Sequence, residues 1–174
     1  MADQPDGIVL KRHRDLQGRD WHPWLRRGLV ALLALVALLA LFGFVGQHPS
    51  TTKAEAAAAT LDVNAPSSVR GGLLYQSRFT IEAHQDVKDA TLVLSSDWID
   101  GLTVNTIEPS PLNEASRNGA LVLELGHIAA GDKYVLYMDY QVNPTTVGSR
   151  TLRVELLDGD EPVTSLTRSQ RIWP

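Results

Sequence analysis

The residues able to do chemistry are few and widely spread. The five histidines are His13, His22, His48, His84 and His127. Histidine-ligated zinc needs close His–His or His–acid spacing. No such spacing occurs, and His84 and His127 fall in different turns. The chain has no cysteine, which excludes disulfides, thiolate catalysis and cysteine-ligated zinc. There is no Gly-x-Ser-x-Gly elbow, no Gly-rich phosphate loop and no Ser-x-x-Lys pair. Asp86 with Asp89, and Asp97 with Asp100, could be drawn as paired carboxylates. Turn acids of this kind ordinarily accept from backbone N–H groups instead. The richest group is Asp158-Gly159-Asp160-Glu161. Three carboxylates in a hairpin can bind calcium. The same residues also suit a two-residue hairpin turn without metal. No catalytic, cofactor-binding or metal-ligating residue is therefore assigned, and no cofactor is expected. A membrane-anchored hydrolase or a calcium-dependent surface domain is the alternative.

Apolar groups in loops make better candidates, and for contact rather than catalysis. Trp98 and Ile99 sit between acids in Ser96-Asp97-Trp98-Ile99-Asp100-Gly101. A tryptophan there either anchors a partner or covers the core. Pro109 and Pro111 stiffen the stretch Ile107 to Leu112, which could dock extended on a partner or on its own sheet. Trp173 could lie on the domain or on a neighbour. These five residues form the expected partner-binding set.

What must position them begins with a membrane element. Residues 28–46, from Gly28 to Gly46, carry no charge and no hydrogen-bonding side chain. As a helix they would span roughly 28 Å, close to a bilayer's hydrocarbon core. Trp21 and Trp24 precede the run at the place of an aromatic belt, and Arg26 and Arg27 flank its start. Lys53 is the only basic residue in the next twenty. The bias predicts a single-pass anchor with the N-terminus in the cytoplasm and the rest outside. A cleaved signal peptide is the competing reading, because Ala56 to Ala59 offer cleavage choices. Small residues recur at every third position from Gly28 to Gly46, which winds them around the helix rather than into a GxxxG seam.

Residues 1–27 read as a disordered basic tail, and 47–59 as a linker of Pro, Ser, Thr and Ala. Beyond the apolar run, 10 basic and 16 acidic residues leave a net charge of −6. Nucleic acid is therefore not an expected partner. No small-molecule substrate is evident.

From 60 to 174 the period becomes two. Leu61 and Val63 alternate, then Leu73, Tyr75, Phe79 and Ile81. Ala90, Leu92 and Leu94 repeat the pattern, as do Leu102 and Val104. Leu121, Leu123 and Leu125 follow, then Tyr134, Leu136, Met138, Tyr140 and Val142. Leu152, Val154 and Leu156 precede a last strand through Val163 and Leu166. Turn signals separate them: Arg70-Gly71-Gly72, Asp100-Gly101, Asn118-Gly119, Gly131-Asp132, Asn143-Pro144 and Asp158-Gly159. Seven or eight such strands predict a mainly β fold, an antiparallel β-sandwich behind one N-terminal transmembrane helix.

Leu92 to Val142 resembles the immunoglobulin-like repeat domain common in bacterial and archaeal surface proteins. The matching features are Gly101-Leu102, then Gly119 with Leu121 and Leu123, then Leu125-Gly126-His127-Ile128-Ala129-Ala130-Gly131-Asp132, then the strand from Tyr134 to Val142. Gly126 and Gly131 bracket a short loop whose Ile128 can plug the sandwich. The chain departs from that pattern in holding one copy and no tryptophan between Leu121 and Leu125. The resemblance implies an adhesive, spacing or ligand-presenting role without catalysis. Together these features predict a bacterial membrane-anchored binding or accessory module. Its expected partners are the lipid bilayer, through 28–46, and another envelope or integral membrane protein.

Overall fold

The computed structural model describes residues 21–42 and 47–174. The chain forms two compact units, Met1–Val45 and Gly46–Pro174. In the first, helix α1 runs His22–Leu41. It starts six residues before the uncharged run, so Arg26 and Arg27 lie inside it. Proline in its first turn explains the early start, since its missing N–H has no helical partner to lose there. Residues 22–27, expected as disordered tail, are thus helical. The rest of that expected tail, 1–20, and residues 43–46 lie outside the described residues. At 20 residues α1 is about 30 Å long. Its mean hydropathy is 2.0, and none of it is buried.

The second unit holds eleven strands. In chain order they are β1 Pro49–Glu55, β2 Ala59–Pro66, β3 Ser68–Arg70, β4 Leu74–Ala83, β5 Val87–Leu94, β6 Leu102–Glu108, β7 Asn113–Arg117, β8 Ala120–Ile128, β9 Lys133–Val142, β10 Gly148–Asp158 and β11 Glu161–Trp173. One sheet has the order β1-β2-β4-β9-β6 and the other β3-β11-β10-β5-β8-β7. All pairs are antiparallel except β3 with β11. The result is the two-sheet β-sandwich that the alternation predicted, with eleven strands among the described residues rather than seven or eight, and one parallel pair.

Alternation sets the faces. Leu61, Val63, Phe79, Ile81, Leu136, Met138 and Tyr140 of one sheet have no exposed surface, nor do Leu92, Leu94, Leu123, Leu152, Val154 and Leu156 of the other. Burying side chains of this size contributes about 1.5–3 kcal/mol each.

Three differences from the sequence reading stand out. The segment expected as linker carries β1, paired with β2 from Pro49↔Pro66 to Glu55↔Thr60. Small polar residues suffice there because an edge strand needs backbone pairing more than a buried face. Leu73, expected inward, is exposed, because the turn closed by Leu73 N–H to Arg70 O delays β4 to Leu74. The last strand continues to Trp173, with Arg168 and Gln170 as buried inward positions.

Candidate functional site

Trp98 closes a short 3-10 turn, Ser96–Trp98, and has no exposed surface. Its ring lies 5.2 Å from Phe79 and 6.1 Å from Tyr140, and Tyr140 stacks on Tyr75 at 5.0 Å. Its indole N–H donates to Arg153 O at 3.1 Å. Arg150 holds the turn in place, donating to Asp97 O at 2.8 Å and Asp100 O at 2.9 Å. Trp98 therefore covers the core and offers no surface to a partner, which corrects its inclusion in the contact set. The 3-10 turn, held by Arg150, turns the indole inward against Phe79 and Tyr140.

The other four are more open. Ile99 is half-buried on the same turn. Pro109 is exposed and Pro111 half-buried, on the segment that carries the chain from β6 in one sheet to β7 in the other. Trp173 is 46% exposed, donates to Ser68 Oγ at 2.8 Å and has the Arg171 guanidinium 4.2 Å above its ring. The structure thus brings Ile99 and Trp173 to one end of the sandwich and leaves Pro109 and Pro111 elsewhere.

Several of the ionisable groups are paired. Asp158 accepts from the Asp89 N–H at 2.8 Å, tying the β10–β11 hairpin to the start of β5. His84 Nε2 meets Thr60 Oγ1 at 2.8 Å, and His127 Nε2 meets Asp86 at 2.7 Å. His13 lies outside the described residues. Among the described residues no three His, Asp or Glu side chains are placed to share a metal ion. On the outer face of the first sheet, Lys53 pairs with Asp62 at 3.4 Å and Lys133 with Glu82 at 2.7 Å. The Lys133 ammonium, bonded to Glu82, holds that carboxyl below its ordinary range. These pairs line a depression of about 200 Å³. Exposed pairs of this kind contribute about 0–1 kcal/mol each.

Sequence reasoning missed a buried polar group. Arg168 donates from Nη1 to Ser50 O at 3.2 Å and Val63 O at 3.3 Å, and from Nη2 to Ser50 Oγ at 2.8 Å and to Ala65 O. Gln170 Nε2 donates to Pro66 O at 3.0 Å. Burial draws the Arg168 pKa down. Burial also pushes the nearby Tyr75 phenol up to about 12. The Gln170 amide offsets part of that rise, although no hydrogen bond of normal geometry joins the two. Tyr140, wholly enclosed, is raised well above its ordinary value by burial. The strand's alternation continues through these residues, and that was the only signal available for them.

Sequence reasoning also missed the apolar company that Trp173 keeps. Leu73 is 47% exposed, Leu74 62% and Val147 59%. All three stand at the Trp173 end. Gly71 N–H donates to Trp173 O at 2.8 Å, Leu73 accepts from Val142 N–H at 3.0 Å, and Gly148 pairs with Ile172, which sets Val147 beside Trp173. Gln47 reaches the same end, its Nε2 3.4 Å from Leu74 O. Arg70 and Arg171 are exposed around the cluster.

No family model matches the chain, and no curated protein matches it. Solved structures do. The CARDB domain of a Pyrococcus furiosus protein, solved in complex with di-metal ions, is 13% identical over 71% of this chain and 95% of its own, with a TM-score of 0.46. A non-cellulosomal cohesin from Archaeoglobus fulgidus is 19% identical over 63% of this chain and 88% of its own, with a TM-score of 0.41. A Niemann-Pick type C2 protein from the Japanese carpenter ant is 12% identical over 71% and 99%, with a TM-score of 0.44. Likeness at this level speaks only of a similar arrangement of strands.

Proposed function

We propose that the protein is a non-catalytic, single-pass membrane protein that presents its sandwich outside a bacterial cytoplasmic membrane. There it serves as a binding or accessory module for another envelope or integral membrane component. The observation that carries this reading is α1. Leu29, Val30, Leu32, Leu33, Leu35 and Val36 are each more than half exposed, and Leu38 and Leu39 are 49% and 40% exposed. Water is a poor solvent for an apolar surface of that length, whereas a bilayer core of about 30 Å matches it. Arg26 and Arg27 near its N-terminus support a cytoplasmic N-terminus by the positive-inside bias.

The test is fractionation of a bacterial host expressing the tagged full chain. Retention in membranes after alkaline carbonate, with the sandwich cut by protease added to spheroplasts, is the expected result. Release by carbonate, or a mature N-terminus beyond the helix, would overturn the anchor. Protection of the sandwich in intact spheroplasts would overturn its placement outside.

A further inference from the structure

From the cluster of Leu73, Leu74, Val147 and Trp173 we infer that this end of the sandwich is a lipid-contacting surface. It would seat in the headgroup layer of the membrane that α1 spans. The inference rests on the anchoring reading above and adds the orientation of the sandwich to it.

Chain length is the first argument. Only Gly43 to Gly46 separate Phe42 from Gln47. Even fully extended, five peptide steps reach about 17 Å. Gln47 sits at the end of the sandwich that carries the cluster, beside Leu74. With the membrane helix ending near the hydrocarbon boundary, the tether keeps that end within about 17 Å of it, a range that takes in the headgroup layer. The opposite end is where the β10–β11 hairpin turns at Gly159 and Asp160. It lies a strand's length away, roughly 33 Å for an eleven-residue β10.

Chemistry is the second argument. Leu73, Leu74, Val147 and Trp173 are all exposed at this end, Leu74 on the outer face of the first sheet and Trp173 on that of the second. Several apolar side chains gathered at one end of a domain call for a partner more than a single exposed leucine does. Tryptophan favours the bilayer interface, where its ring is buried and its N–H stays polar. Arg70 and Arg171 flank it and can meet lipid phosphates. Asp97 and Asp100 are on the neighbouring turn, and their backbone carbonyls are engaged by Arg150. The tether makes insertion intramolecular in effect, so modest affinity per residue suffices.

The chain contains no cysteine, so single nitroxide labels can be placed without background. The full chain would carry Val147→Cys, Asp160→Cys or Leu33→Cys, each labelled and reconstituted into phosphatidylethanolamine–phosphatidylglycerol vesicles. Collision rates would be measured with oxygen, which concentrates in lipid, and with an aqueous nickel chelate. Matching far-UV circular dichroism establishes that each variant is folded. The expected result is an oxygen-to-nickel ratio at 147 severalfold above that at 160. Adding Trp173→Asp to Val147→Cys should lower it. A lipid-like ratio at 33 with equal aqueous ratios at 147 and 160 would sink this inference and leave the anchor standing. An aqueous ratio at 33 would sink the anchor and this inference together. A label at 147 reached by neither reagent would mean that protein covers the patch, which also overturns it.

Discussion

Arg168 occupies an inward position on β11, between Leu166 and Gln170, where an apolar side chain would be expected. It is tolerated because its planar fork finds three carbonyl oxygens and a hydroxyl, all on β1 and β2. Replacing it with methionine keeps the stem but strips the donors. Arg168→Met should cost about 1–3 kcal/mol in urea unfolding, because buried carbonyls lose their partners. Equal stability would show the clamp to be dispensable. Tyr75 makes a separate, pH-dependent prediction. A folded-state pKa raised to about 12 means that the native state holds its proton longer than the unfolded chain. Stability is then full below about pH 10 and falls as pH rises toward 12, with a slope of about 1.4 kcal/mol per pH unit for each such tyrosine. Tyr140 adds to the fall in the same direction. Tyr75→Phe should flatten this alkaline decline in a pH series of denaturation midpoints. An unchanged slope would mean that Tyr75 ionises freely in the folded state.

At the scale of elements, legibility followed hydrophobic contrast. The strands around Phe79, Leu92, Leu123, Leu136 and Val154 announce themselves, because large apolar side chains alternate with polar ones. Three strands do not. β1 is Pro-Ser-Thr-Thr-Lys-Ala-Glu, β3 has three residues, and β7 is exposed throughout. Each is an edge strand, held by backbone pairing that leaves no mark in side-chain pattern. The second half of β11 was hidden for the opposite reason, two of its three inward positions, Arg168 and Gln170, being polar. The contact set fared similarly. Trp98 was named for its type, but whether a loop tryptophan points in or out depends on a 3-10 turn held by Arg150, some fifty residues away. Turns were the most readable feature. Gly101 has φ +65°, and a Cβ there would lie 2.6 Å from Thr146 Oγ1. Gly101→Ala should therefore destabilise the sandwich by about 1–3 kcal/mol, measured by thermal unfolding. A neutral result would mean that the Asn143 to Val147 loop can yield.

For the whole molecule, the apolar residues divide into two sets. In the sandwich they face one another; along α1 they face outward. Introducing Leu33→Arg with Val36→Arg should cost about 2.5–3.5 kcal/mol per charge at mid-helix. The chain should shift from the carbonate-resistant membrane pellet to the soluble or degraded fraction, with the β-rich dichroism of any recovered protein unchanged. Retention in the pellet would mean that something other than α1 holds the protein there. The Arg168 clamp has a consequence in time as well. It joins residues 118 positions apart, Ser50 on the first strand and Arg168 on the eleventh. A chain made or exported from its N-terminus exposes β1 long before β11 exists to receive it. Until residue 168 emerges, β1 and β2 form an open edge. Topologies closed by such distant pairings fold slowly, so the nascent domain spends its most vulnerable interval unfinished.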